Sequence, residues 1–131
     1  MDAFHALDIR KPVLLSYLTE DLNEKFADFL RQAGLEVQAV ERYVAPFDAI
    51  NRIPPPEIYA VAKKAFLNAD GADSIYLYGA GWRTLPIIEM LERDLGTKVI
   101  SNVPTEVWAT LRQLRVRAPV DGFGTLLRDL P

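Results

Sequence analysis

The chain has no cysteine among its 131 residues. That absence rules out disulfides, thiolate metal centres and any thiol nucleophile, and it fits a reducing compartment, so a cytoplasmic location is expected. There is one histidine, His5, and no evident acid or nucleophile goes with it, so no nucleophile–base–acid triad can be read. No set of residues has metal-ligand spacing, and no metal is expected. No apolar run approaches the ~20 residues that span a bilayer, and residues 1–15 lack the basic start and long apolar stretch of a signal peptide. The net charge of −3, from 15 Lys and Arg against 18 Asp and Glu, lacks the excess of base that nucleic-acid binders carry. Neither a membrane nor a nucleic acid is therefore expected as a partner. Internal repeats and low-complexity tracts are absent too.

What remains is an ordinary globular composition, half hydrophobic and a quarter charged. The length suits one α/β domain over residues 1–131, large enough to bury its own core. Residues 2–10 read as the end of a helix running into a first strand, and a domain that begins on a helix end is expected to have been preceded by something else. Pro12 to Leu18 is a continuous apolar run, the pattern of a strand covered on both faces. Thr19 to Ala33 reads as a helix with Leu22, Phe26, Phe29, Leu30 and Ala33 on its inner stripe, Thr19 as cap and Gly34 as stop. Leu35 to Val40 alternates, as a strand near the sheet edge does.

Residues 41–56 form a longer connection ending in three prolines, of which Pro56 can open a helix to Asn68. The inner stripe of that helix is Ile58, Val61, Ala62 and Ala65. A strand over 74–78 and a helix over 85–95 follow, the helix facing inward with Leu85, Ile88, Leu91 and Leu95 and ending on Gly96. Thr97 to Ser101 is a fourth strand. Asn102 to Leu114 is a last full helix, opened by Pro104, with Val107, Trp108, Leu111 and Leu114 apolar. A turn-rich remainder ends in the apolar pair Leu126-Leu127. Strands alternating with helices require crossovers, hence a four-stranded parallel sheet with helices on both faces.

The stretch from Asp73 to Ile88, DSIYLYGAGWRTLPII, organises the rest. A strand breaks at Gly79-Ala80-Gly81 and re-forms as a helix, with Thr84 as cap and Pro86 in its first turn. Open α/β sheets bind ligands at the carboxyl ends of their strands, where helix N-termini favour anions. The turn lacks the third glycine of a dinucleotide fingerprint and the Lys-Ser/Thr of a P-loop, so both motifs are rejected. Pattern leaves two readings open, a tight connection or a cradle for a small anion. Arg83 is either a solvated side chain or a bidentate partner for a carboxylate. Trp82 is either packing or the apolar wall of a pocket. The neighbouring strand ends add Ser16, Tyr17, Ser101 and Asn102 as hydrogen-bonding groups on the same rim, with Asn102 also a natural cap.

The ordered series of segments resembles the aspartate/glutamate racemase superfamily, in particular the second half of the branch that holds arylmalonate decarboxylase and maleate cis-trans isomerase. ALDIRKPVLLSYLTEDLNEKFADFLRQAGLEV is similar to the start of that half. FDAINRIPPPEIY is similar to the stretch before its next helix. GADSIYLYGAGWRTLPIIEMLERDLGTKVISNVPTEVWATLR follows its catalytic strand, loop and helix, and VDGFGTLLRDL its tail.

The resemblance implies a flavodoxin-like half, a small carboxylic or dicarboxylic acid bound by backbone amides and hydroxyls, no cofactor, and a cleft completed by a missing N-terminal half or by a second copy. It also implies cysteine-based proton transfer, as lyase or isomerase. The family cysteine falls on Gly79, the family tyrosine on Leu18, and an asparagine of the isomerases on Phe47. Tyr17, one place before Leu18, is expected to face the other way, since strand side chains alternate. Two readings follow, half of a carboxylic-acid enzyme, or a non-catalytic domain that binds a carboxylate or a partner protein. The ligand-contacting set expected in either case is Ser16, Tyr17, Gly79, Ala80, Gly81, Trp82, Arg83, Ser101 and Asn102.

Overall fold

The computed structural model describes residues 1–129; Leu130, the last residue of the family-like tail, and Pro131 lie outside the described residues. Four parallel strands, β1 (Pro12–Ser16), β2 (Ala39–Arg42), β3 (Ser74–Tyr78) and β4 (Lys98–Ser101), form one sheet in the order β2-β1-β3-β4. This is the beginning of the flavodoxin-type order, in which the chain reverses direction across the sheet between β1 and β3. The helices are α1 (Asp2–Ala6), α2 (Glu20–Gln32), α3 (Pro55–Asn68), α4 (Ile88–Leu95), α5 (Asn102–Gln113) and α6 (Thr125–Arg128), with short 3-10 turns at Phe47–Arg52 and Leu85–Ile87.

The central strands are apolar on both faces because both faces are covered. Leu14, Tyr76 and Ile100 point into a core shared with Phe4, Ala27, Leu30, Trp108, Leu126 and Leu127, on the side of α1, α2, α5 and α6. Their neighbours Leu15, Ile75, Leu77 and Val99 point the other way, onto Ile58, Ala62, Ile88 and Leu91 of α3 and α4. At its lower end the sheet is tied by Asp73, whose Oδ2 accepts the amides of Arg10 at 2.8 Å and Lys11 at 2.9 Å. Among the described residues no helix is long and apolar enough to cross a membrane.

Several element ends differ from the sequence reading. β1 stops at Ser16 rather than Leu18, because the Ser16 hydroxyl takes the Leu18 amide at 3.0 Å and turns the chain out of the ladder. β2 starts at Ala39. Residues 35–38 run beside Arg10 to Pro12, with the Glu36 and Gln38 amides bonded to the Arg10 and Pro12 carbonyls, and regular pairing begins only at Val13 opposite Ala39. α2 is rotated by about one position from the expected stripe, with Asn23, Ala27 and Leu30 inside and Leu22 and Phe29 49% and 55% exposed. The cause is Asn23, a polar residue drawn inside to receive the Ser16 hydroxyl.

α3 opens one residue early, at Pro55. The expected helix over 85–95 is a 3-10 turn followed by α4, ended as expected by Gly96 in the left-handed conformation at φ 61°. On α5, Val107 and Leu114 are exposed and Trp108 alone is fully buried among the expected apolar positions. Thr19, Thr84 and Asn102 do not cap with their side chains. The last two make cross-strand bonds instead, which bear directly on the site.

Candidate functional site at the strand ends

β1, β3 and β4 end on one rim, and the glycine turn after β3 lies between the other two ends. Gly79 has φ 109°, a conformation that suits glycine. The Gly79 amide donates to Asn102 Oδ1 at 2.9 Å, so the first residue of α5 anchors the turn to the end of β4. Beside it, Thr84 Oγ1 and Ser101 Oγ lie 2.6 Å apart, both residues buried, a second link between the turn and β4. The Gly81 amide donates to the Tyr17 hydroxyl at 2.9 Å, which links the turn to the end of β1. The first two links replace caps that local sequence suggested.

The expected ligand residues therefore separate into three groups. Ser16 and Ser101 are 2% and 1% exposed, and their hydroxyls are taken up by Asn23 and Thr84, so neither is presented to a ligand. Trp82 is 4% exposed and belongs to the α3–α4 core, a floor beneath the site rather than an open wall. Gly79 and Asn102 are half-buried and bonded to each other. Tyr17, Ala80, Gly81 and Arg83 form the accessible part.

Ala80, Gly81 and Arg83 are exposed. Among the described residues the amides of Ala80 and Arg83 donate to no protein acceptor, and the Arg83 guanidinium makes no ion pair.

Tyr17 does not face away from the turn. The ladder ends at Ser16, so strict alternation no longer governs the next residue, and the ring swings over the glycines. It packs edge-on against Trp82 at 5.4 Å between centroids and against Phe47 at 6.5 Å. Phe47, Asp48, Ile50 and Asn51 from the 3-10 turn after β2 join Tyr17 and Gly81 around an open, mainly apolar depression of about 420 Å³. Periodicity gave no sign of that lining, which lies in a connection whose role only packing reveals. Asp48 on its rim faces Arg52 at 3.9 Å. Nearby, Tyr43 donates to Glu57 at 2.7 Å, and that bond to a carboxylate holds its phenol above the ordinary value, with the hydroxyl committed to Glu57. His5 is exposed on α1, beside Asp2 and Arg112 and outside the depression. Among the described residues no three His, Asp or Glu side chains cluster as metal ligands would.

The chain is an α/β domain with a flavodoxin-type sheet order, and in open sheets of this class ligands bind outside the carboxyl ends of the strands. The chain belongs to the arylmalonate decarboxylase family, whose model matches residues 1–127. It is 28% identical over 113 residues to an arylmalonate decarboxylase of Bordetella bronchiseptica, covering 86% of this chain and 47% of that protein. It is 27% identical over 133 residues to a maleate isomerase of Nocardia farcinica, covering 98% of this chain and 51% of the relative.

The fold agrees. A crystal structure of arylmalonate decarboxylase superposes with a TM-score of 0.91 over 98% of this chain and 57% of its own, at 28% identity. The Nocardia farcinica maleate cis-trans isomerase bound to TRIS superposes at 0.88, with 26% identity, over 98% of this chain and 52% of its own. The chain thus spans about half the length of the curated relatives it matches, in keeping with its resemblance to one half of such proteins.

Proposed function

We propose that this domain forms one wall of a cleft that binds a small carboxylic or dicarboxylic acid, without metal or organic cofactor. The observation that carries the reading is the set of unengaged donors on the turn, the amides of Ala80 and Arg83 with the Arg83 guanidinium, beside an apolar depression that suits the body of such an acid. Free amides of a backbone turn, joined by a planar cation, are matched to a carboxylate. The names of the relatives point to malonate- and maleate-like acids. The opposite wall comes from a missing N-terminal half or from a second copy of the chain.

On the reading that Gly79 occupies the family cysteine position, this domain contributes binding and orientation. A chain without cysteine brings no thiol to protonate a carbon from this side, so binding without turnover is the expected behaviour of the 131-residue chain. Thermal denaturation with malonate and maleate tests this. A ligand at about 100 times its Kd stabilises a fold by about 2.7 kcal/mol, and at this chain length such a gain is a shift of roughly 8–13 °C. Arg83→Gln is expected to remove most of that shift. Equal stabilisation by nucleotides or phosphate esters, or none by either acid, would overturn the reading. Decarboxylation of an arylmalonate or isomerisation of maleate by the chain alone would restore the enzyme alternative.

A further inference from the structure

A Cβ placed on Gly79 would lie 2.6 Å from Cε1 and 2.9 Å from Cζ of Tyr17, and one on Gly81 would lie 2.7 Å from the Tyr17 hydroxyl. Real Cβ atoms do not approach neighbours that closely, so the Tyr17 ring occupies the space into which a side chain at position 79 would extend. The ring is held there by the edge contact with buried Trp82, by Phe47, and by the Gly81 amide.

A phenol offers one donor and two acceptor lone pairs. Here the oxygen accepts from Gly81, and its own proton goes to no acceptor among the described residues. Tyr17 also lines the depression, together with Asn51 and Asp48. The side-chain hydroxyls of Ser16, Thr84 and Ser101 on this rim are buried and bonded internally.

We infer that the Tyr17 ring takes the place of a side chain at position 79, an exchange of volume between the two positions, and that its hydroxyl is the ligand-facing hydrogen-bond donor of the site. The second part rests on the carboxylate reading above; the first does not. Gly79 is then glycine for two separate reasons, its φ of 109° and the ring beside it. Only the second is relieved when Tyr17 is cut back. The ring also forms part of the lining of the depression.

Two measurements on the full chain test the exchange. The first is a double-mutant cycle of urea unfolding with Gly79→Ala, Tyr17→Ala and the pair. Gly79→Ala is expected to shift the unfolding midpoint far more in the presence of Tyr17 than in its absence, and an equal shift in both backgrounds would overturn the exchange. Should Gly79→Ala fail to fold, recovery of folding in the pair is the expected result, and failure of the pair as well would overturn it. The second is titration with malonate of Tyr17→Phe, which keeps the ring and removes the hydroxyl, both its proton and the acceptor for the Gly81 amide. An affinity loss of about tenfold or more is expected, with the fold retained and at most a small drop in unfolding midpoint from the lost Gly81 bond; unchanged affinity would overturn the donor role. Failure of the unsubstituted protein to bind malonate would overturn the carboxylate reading and with it the donor role, while the cycle still decides the exchange of volume.

Discussion

Asn102 gives the sharpest separation between holding the turn and holding a ligand. Its Oδ1 accepts the Gly79 amide at 2.9 Å in a half-buried position. Asn102→Ala leaves that amide without its partner, at a cost of about 1–3 kcal/mol, reduced by a few tenths because alanine suits the first turn of α5 better than asparagine. Asn102→Asp behaves differently, since a carboxylate can accept the same bond, and a negative charge in the first turn of a helix is worth about 0.3–1 kcal/mol. The aspartate variant is therefore expected to be as stable as the parent or slightly more so.

Ligand binding should move the other way. An anion on the Ala80 amide, one residue along the chain, would sit about 6 Å from the new carboxylate, given the ~3.8 Å spacing of consecutive Cα atoms. The repulsion at that distance is about 0.7 kcal/mol at a dielectric of 80 and about 2.8 kcal/mol at 20, a loss of about threefold to a hundredfold in malonate affinity. Urea unfolding gives the first quantity and calorimetric titration the second. An aspartate variant that binds malonate as tightly as the parent would refute an anion at this turn. An alanine variant as stable as the parent would show that the Asn102 bridge does not hold the turn.

Asp73→Ala removes the acceptor for two amides that tie β1 to the start of β3, and should cost about 1.5–3 kcal/mol, read as a lower urea midpoint with an unchanged slope. Leu77 is fully buried beneath the turn, so Leu77→Ala should cost about 2–5 kcal/mol and lower the melting temperature correspondingly. The Asp94 carboxyl lies below its usual 3.8, chiefly because the Tyr59 hydroxyl donates to it and secondarily because Arg93 does. A depressed acid contributes stability above its unfolded pKa and loses it as pH falls through the folded value. The Tyr59→Phe variant should therefore raise the Asp94 midpoint seen by NMR and remove that part of the acid dependence; an unmoved midpoint would count against the bond. Gly81→Val places a side chain against the Tyr17 hydroxyl and Ile50 and should abolish malonate binding; retained binding would put the ligand elsewhere.

Local pattern was enough for much of the architecture. Apolar runs such as Pro12–Ser16 and Ser74–Tyr78 are continuous because parallel strands are covered twice, and alternation with helices requires crossovers, so the parallel sheet could be read before any coordinates. The glycine turn was legible for the same reason, since a strand that breaks at Gly-Ala-Gly and resumes as a helix has few geometries available to it. Gly96 ended its helix as its position implied.

What the tertiary structure decided was which partner each polar group took. Thr84 and Asn102 sit where caps belong, yet they bond across the sheet to Ser101 and Gly79, because folding brings those acceptors and donors closer than the helix amides. Asn23 turned inward for Ser16, and α2 rotated with it, which no apolar stripe could announce. Tyr17 lies one residue past its strand, where alternation no longer applies, and its ring came to rest in space left by a glycine 62 positions further along. Side-chain pairing of this kind depends on distance in the fold, and distance in the fold is what a linear pattern does not contain.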